Sequence, residues 1–375
     1  MARSNDEALV RRLLDLAGIA VGGPARHDLQ VMDPRFYRRV LRQGSLGLGE
    51  AYLDGWWDAD AVDETIARML DAGLQRRLRP SLAALRHGLL GYLWNLQNRT
   101  RSRHAVAAHY DLGNDLFGRM LDPLMNYSCG YWARAGDLAQ AQRDKLELIC
   151  RKLQLAPGMR VLDIGCGWGG FARHATEQHG VSVVGITLSP AQAEYARTAC
   201  RNLPARIELS DYRDFRAEPF DRVVSIGMFE HVGARNYRTF MRAATALLKP
   251  DGLMLLHTIG AQTTSRGNDP WLDRYIFPNG ELPSMVQLGA AAEGLLIVED
   301  WHNFGPDYDR TLMAWKDNFE TAWPDLEARY GERFYRMWRY YLMLCAGAFR
   351  ARYMQLWQLV LAPPGQRPDP YRSVR

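Results

Sequence analysis

The run VLDIGCGWGG, residues 161–170, leaves this chain few folds to choose from. Its apolar stretch holds one acid, Asp163, and it ends in glycines at 165, 167, 169 and 170, where a strand can turn into a helix. Glycine permits the tight turn and lets the backbone come close to a ligand. Further β-rich runs follow, VSVVGITLS, ARIELSDYRDF, FDRVVSIGMF, GLMLLHTIG and LIVEDWHNF, with the helical stretches AQAEYARTACRNL and NYRTFMRAATALL among them. This alternation predicts an α/β fold, a mainly parallel sheet covered by helices, with ligands at the carboxyl ends of the strands. The tail DLEARYGERFYRMWRYYLMLCAGAFRARYMQLWQLVL reads as helix followed by a last strand, and serves either to cover the core or to wall an apolar tunnel.

A chain of 375 residues has room for one large α/β domain and a smaller one. Residues 1–85 read as a small helical N-terminal domain, with NDEALVRRLLDLAGI and DETIARMLDAGLQRRL as helices and RQGSLGLGEAYLDGWWD as a Gly-rich, Trp-containing turn. A basic linker at 86–104 and a catalytic domain at 105–375 complete the expected division. The net charge of +5 is unevenly spread: residues 74–103 hold seven arginines and no Asp or Glu. Arginine interleaved with Leu, Tyr and Trp suits an anionic membrane surface ahead of nucleic acid, with an ordinary solvated linker face as the other reading. SLAALRHGLLGYLWNL is too short to cross a bilayer and is interrupted by Arg86 and His87. The five cysteines, scattered and without a C-x-x-C pair or secretory leader, are expected to be free thiols in a reducing cytoplasm.

An acid two residues before the first glycine, with a second strand about twenty residues on, points to S-adenosylmethionine (SAM). A dinucleotide site would want G-x-G-x-x-G and an acid at the end of the second strand. Here that strand ends GITLSPAQ, with Thr187 in the acid's place. The segment SIGMFEHVG then sets Glu230 and His231 directly after an apolar strand. A buried charge without a partner costs several kcal/mol, so the junction is either a capped turn or a working site. Taken singly, Glu230 reads as a cap for a helix near Ala234, His257 as a hydrogen-bonded core histidine, Cys129 and Cys345 as packing, and His231 as structural.

HYDLGNDLF, LDPLMNYSCGYW, VLDIGCGWGG, SIGMFEHVG, LLHTIG, DPWLDRYIFPNG, EDWHNFGPDYDRTLMAW and CAGAFR occur in this order. In these motifs the chain resembles the cyclopropane-fatty-acyl-phospholipid synthases, from about residue 104 to beyond 360, and its helical N-terminal domain is similar to that of the bacterial phospholipid-acting members. The resemblance implies a class I SAM-methyltransferase, Rossmann-like fold that transfers the SAM methyl to a cis double bond of a membrane phospholipid. A carbocation would follow, deprotonated by a bound bicarbonate as the ring closes. It further implies that Glu230, His257, Tyr308 and Cys345 surround the bicarbonate, with Cys129 and the backbone at Ile259 completing the cradle.

For the cofactor, the resemblance puts Tyr127 and Ser128 near the methionine moiety and Asp163, Gly165 and Gly167 at the floor. Thr187 and Gln192 would lie by the ribose, and Asp211 with Tyr212 by the adenine. No metal and no nucleic acid are implied. The expected partners are an unsaturated phospholipid in an anionic bilayer and a second copy of the chain, at the cytoplasmic face of the membrane. Rival readings are a sister enzyme leaving a methylene or methyl branch, a small-amine N-methyltransferase, and a SAM-binding membrane scaffold.

Overall fold

The computed structural model describes residues 5–77, 113–265, 267–365 and 370–375. They fall into two compact units, one drawn from Met1–Trp94, Arg266–Pro278 and Tyr308–Met354, the other from Asn95–Ser265, Asn279–Asp307 and Gln355–Arg375. The N-terminal helices thus share a unit with two later segments. The predicted linker at 86–104 lies outside the described residues.

The second unit is built on seven strands: β1 (Arg160–Ile164), β2 (Ser182–Thr187), β3 (Ala205–Leu209), β4 (Phe220–Ile226), β5 (Leu248–Ala261), β6 (Ile297–Asn303) and β7 (Met354–Ala362). Their order is β3-β2-β1-β4-β5-β7-β6. The pairs among β1 to β5 are parallel, and β6 and β7 pair antiparallel. The apolar runs reflect cover on both faces. Leu162, Val223, Met254 and Leu256 enter one core, while Val161, Val224, Leu253 and Leu255 enter the other, following the two-residue period of a strand. Edge strand β3 carries an Arg206–Glu208 ion pair, and charge of this kind discourages edge-to-edge pairing. Strand order reverses between β1 and β4, so a crevice opens there at the carboxyl ends of the strands.

Two helices that flank the crevice start where their sequence dictates. Asp137 caps Leu138–Lys152 by accepting from the Gln140 N–H, and Ser189 caps Pro190–Ala199 by accepting from the Gln192 N–H. All five cysteines are free and buried, as their scatter predicts.

In the first unit, the segment expected to be a Gly-rich turn contains a helix, Ser45–Leu53. Gly44 at φ 59° and Gly55 at φ 70° make turns at either end of it. Gly47 and Gly49 serve close packing instead: a Cβ on Gly47 would stand 2.5 Å from the Arg39 carbonyl oxygen, and one on Gly49 2.4 Å from the Trp271 ring. The unit's core packs Tyr52 edge-on against Trp57 at 5.3 Å and tilted against Tyr340 at 5.2 Å, with Trp271 edge-on to Tyr340. The helix expected from residue 325 onward starts earlier, at Pro306, and reaches Arg350 as two helices that meet at Gly331, whose φ of 74° is not helical.

Candidate active site

The crevice is a cleft whose floor is mostly backbone. Gly165, in the left-handed region at φ 86°, ends β1, and a Cβ there would lie 2.6 Å from Met228. A Cβ on Gly170 would lie 2.5 Å from the Leu124 carbonyl oxygen, so the loop closes only around glycine. Asp163, Gly165 and Gly167 line this floor, Tyr127 and Ser128 one wall, and Thr187, Gln192 and Tyr212 another. Thr187 Oγ1 donates to Gln192 Oε1 at 3.0 Å, so these two residues form one surface. Asp211 does not line the cleft, because its carboxylate is held by the Arg213 guanidinium at 2.8 and 2.5 Å.

The Ser128 wall rests on a lysine. Lys145, fully buried on helix Leu138–Lys152, donates to Ser128 Oγ at 3.0 Å and Asn126 Oδ1 at 3.3 Å. Burial pulls its pKa down to about 8, against the opposing charges of Asp122, Cys129 and Asp163. Burial drives the Asp163 carboxyl the other way, up to about 7, with Lys145 restraining the rise. The Gln142 amide donates to the Ser128 carbonyl at 2.8 Å.

Beside the cleft, β4 and β5 end in a corner of different character. His257 on β5 lies in register with Ile226, the last residue of β4. After β4 the chain makes a single 3-10 turn, Phe229–His231, which carries Glu230. Glu230 Oε1 accepts from the Ile259 N–H at 2.7 Å. Its Oε2 is buried and has no hydrogen-bond partner among the described residues. Burial raises this carboxyl to about 7, against the lowering effect of the Ile259 N–H. Glu230 is not a helix cap: the Ala234 N–H donates to Glu281 Oε2 at 2.9 Å. His257 Nδ1 lies 3.2 Å from the Gln358 amide nitrogen, and its Nε2 is buried without a partner among the described residues. Burial, together with the Lys145 and Lys152 charges, holds its pKa well below the ordinary value, so the ring is neutral. A donating Gln358 amide makes Nδ1 the acceptor and leaves the proton on Nε2. The corner therefore presents one unmet acceptor and one unmet donor.

Residues 97–359 match the family model described as mycolic acid cyclopropane synthetase, about 70% of the chain. The chain belongs to this family. It is 52% identical over 354 residues to the cyclopropane-fatty-acyl-phospholipid synthase of Escherichia coli (strain K12), covering 94% of this chain and 92% of that one. It is 38% identical over 277 residues to the cyclopropane mycolic acid synthase MmaA2 of Mycobacterium tuberculosis (strain ATCC 25618 / H37Rv), covering 68% and 96%. Among solved structures, the mycolic acid cyclopropane synthase CmaA1 complexed with SAH and CTAB matches with a TM-score of 0.64 and 36% identity, over 69% of this chain and 97% of that one.

For a mycolic acid cyclopropane synthetase family member, the residues read from sequence divide between the two units. Glu230, His257, Ile259 and Cys129 lie in the second, where Cys129 is fully buried with its thiol 3.1 Å from the Gly130 carbonyl oxygen. Tyr308 and Cys345 lie in the first, where Tyr308 packs on Phe349 at 4.6 Å and burial raises the Cys345 thiol. Four cleft features escaped the sequence reading: Trp168, whose indole donates to Asn114 Oδ1 at 3.0 Å, Arg213, the supporting Lys145, and His231. His231 lines the cleft, and burial pulls its pKa down to about 4. Of these, Trp168 left a signal that could have been used, an indole set inside the glycine loop.

Proposed function

We propose that this enzyme transfers the methyl carbon of SAM to the cis double bond of an unsaturated phospholipid acyl chain and closes a cyclopropane ring. The observation that carries this reading is the pair of orphaned atoms, Glu230 Oε2 and His257 Nε2, buried beside the cleft. Leaving such groups unmet costs about 1–3 kcal/mol each, and a small-amine methyltransferase has no call for them. Bicarbonate, with donor and acceptor oxygens, fits a corner offering one of each, and would be held by Glu230 and His257, with Cys129 and the Ile259 backbone of the same unit completing its surroundings. Bound there, it supplies a base for the proton lost from the added methyl. The glycine floor likewise fits SAM, which supplies the electrophilic methyl group.

This chain's residues do the rest. The Ile259 N–H fixes the Glu230 carboxylate, and the Gln358 amide holds the His257 ring through Nδ1, so both are oriented before a ligand enters. Burial keeps water from a developing carbocation. Tyr127 and Ser128 hold the methionine moiety, Thr187 and Gln192 the ribose, and Tyr212 the adenine; Asp211 acts by fixing Arg213 in the same wall. Phospholipid is favoured over a carrier-bound chain because the match to the E. coli synthase extends beyond the family model to 94% of this chain. No helix among the described residues is long and apolar enough to cross a membrane. Access to lipid then falls to peripheral binding at an anionic cytoplasmic surface through the arginines of 74–103, with the N-terminal helical region pairing two copies.

The test is mass spectrometry of vesicles carrying cis-monounsaturated phospholipid after incubation with protein and SAM, with and without bicarbonate. Acyl chains gaining one CH2 as a ring, with the yield dependent on bicarbonate, are expected. A methyl or methylene branch moves the assignment to a sister activity, and cofactor binding without transfer rejects it.

A further inference from the structure

Helices Leu138–Lys152 and Gly170–His179 bring a second group of reactive side chains together, away from the cleft. Cys150, His174 and His179 each place one ligating atom within 4.8 Å of the other two. We infer that Cys150, His174 and His179 bind a divalent transition-metal ion of the zinc class, with the Glu147 carboxylate closing the set.

Zinc bonds of roughly 2.0–2.3 Å in a tetrahedron hold ligand atoms about 3.3–3.8 Å apart, so the three atoms need close by only about 1 Å, within reach of side-chain rotation. Glu147 Oε2 already stands 3.0 Å from His179 Nε2 and 3.5 Å from His174 Nε2, which are spacings of this kind. The carboxylate accepts from His179 at 3.0 Å and pairs with the buried His174 Nε2 only through a long 3.5 Å contact, outside normal hydrogen-bond geometry. A thiol, two imidazoles and a carboxylate select zinc or cobalt over magnesium or calcium, which want oxygen alone. As the metal–sulfur bond forms, the Cys150 proton leaves to solvent, so affinity rises with pH.

The ion would be a staple and takes no part in the reaction. Helix Gly170–His179 begins at the cleft with Gly170 and ends at His179, about 13 Å away at 1.5 Å per residue. Its partner helix carries Lys145 under Ser128 and reaches Cys150 more than a turn later. The metal pins the far ends of both helices whose near ends shape the cofactor wall.

Cobalt(II) titration of the chelator-stripped full chain tests the site. Saturation near one equivalent is expected, with thiolate-to-cobalt absorption in the near ultraviolet, intense tetrahedral visible bands and displacement by zinc. C150S should abolish the thiolate band and C200S should keep it. H179N, at a partly exposed helix end and checked by an unchanged circular dichroism spectrum, should weaken cobalt binding at least about tenfold, and E147Q should weaken it less. No saturable cobalt signal in the wild-type chain, or an unchanged signal in H179N, overturns the proposal.

Discussion

The cofactor floor and the Glu230–His257 corner sit at the ends of neighbouring strands and follow opposite rules. The floor's polar groups are paired with one another in advance: Thr187 with Gln192, Ser128 with Lys145, Trp168 with Asn114, Asp211 with Arg213. In the corner, Glu230 has one oxygen satisfied and one bare, and His257 one nitrogen. Pairing in advance shapes a surface, whereas a buried bare atom marks where a ligand's polar atom has to go. The two regions should therefore fail differently when cut.

The largest break is chemical. Glu230→Gln turns the bare acceptor into a donor, His257→Phe deletes the bare nitrogen, and both leave the floor intact, so kcat should fall by about 10²–10⁴ while the affinity for SAH stays within about threefold. Turnover with lipid vesicles and calorimetry with SAH measure the two effects. A parallel loss of SAH binding would mean that floor and corner are one site.

Next comes pH. Burial moves Glu230 from an ordinary 4.5 to about 7, so the folded chain holds this proton more tightly than the unfolded chain. That stabilisation is complete below pH 4.5 and is lost as pH rises through 7, on the order of 3 kcal/mol in all. Urea unfolding of the wild type against Glu230→Gln between pH 4 and 8 should show their stability difference shifting toward the variant by about that amount. A flat difference would place Glu230 in contact with water and remove the contrast.

Breaking the floor's backbone is a smaller insult. Gly165→Ala puts a Cβ at a left-handed position 2.6 Å from Met228, a strain of about 1–3 kcal/mol that the loop relieves by moving off the cofactor. SAH affinity should fall by about tenfold to a hundredfold in calorimetry, with lipid chemistry at saturating SAM largely kept.

This contrast also sets what the sequence reveals. The floor is local: glycine spacing, an acid inside a strand and the alternation of apolar runs all lie within a few residues of where they act, and all were legible. So was the sheet, because its central parallel strands are apolar on both faces. The corner depends on partners 29 and 101 residues away, Ile259 for Glu230 and Gln358 for His257, and no local pattern announces them. Glu230 was visible only as an oddity, and its role came from the family resemblance. Lys145 in LAQAQRDKLELICRK looks like a solvated helix face, yet tertiary contacts bury it completely. His231 was read as structural and lines the cleft. Gly47 and Gly49 were read as turn residues because sequence cannot show Arg39 and Trp271 pressing on their backbone.

The smallest change sharpens the comparison most. Thr187→Val keeps shape and volume and deletes one oxygen, which donates to Gln192 Oε1 at 3.0 Å and accepts from the Ser189 N–H at 3.3 Å. Both side chains are buried, at 5% exposure each, so the loss should cost about 0.5–1.5 kcal/mol of stability. Gln192 then has no internal partner to aim its amide at the cleft, and SAH should bind about three- to tenfold more weakly. The corner, on strands β4 and β5, keeps every contact, so kcat at saturating SAM should not change. If kcat falls while SAH affinity holds, the pre-paired wall is reaching the reacting atoms, and the division between a floor that binds and a corner that reacts is wrong.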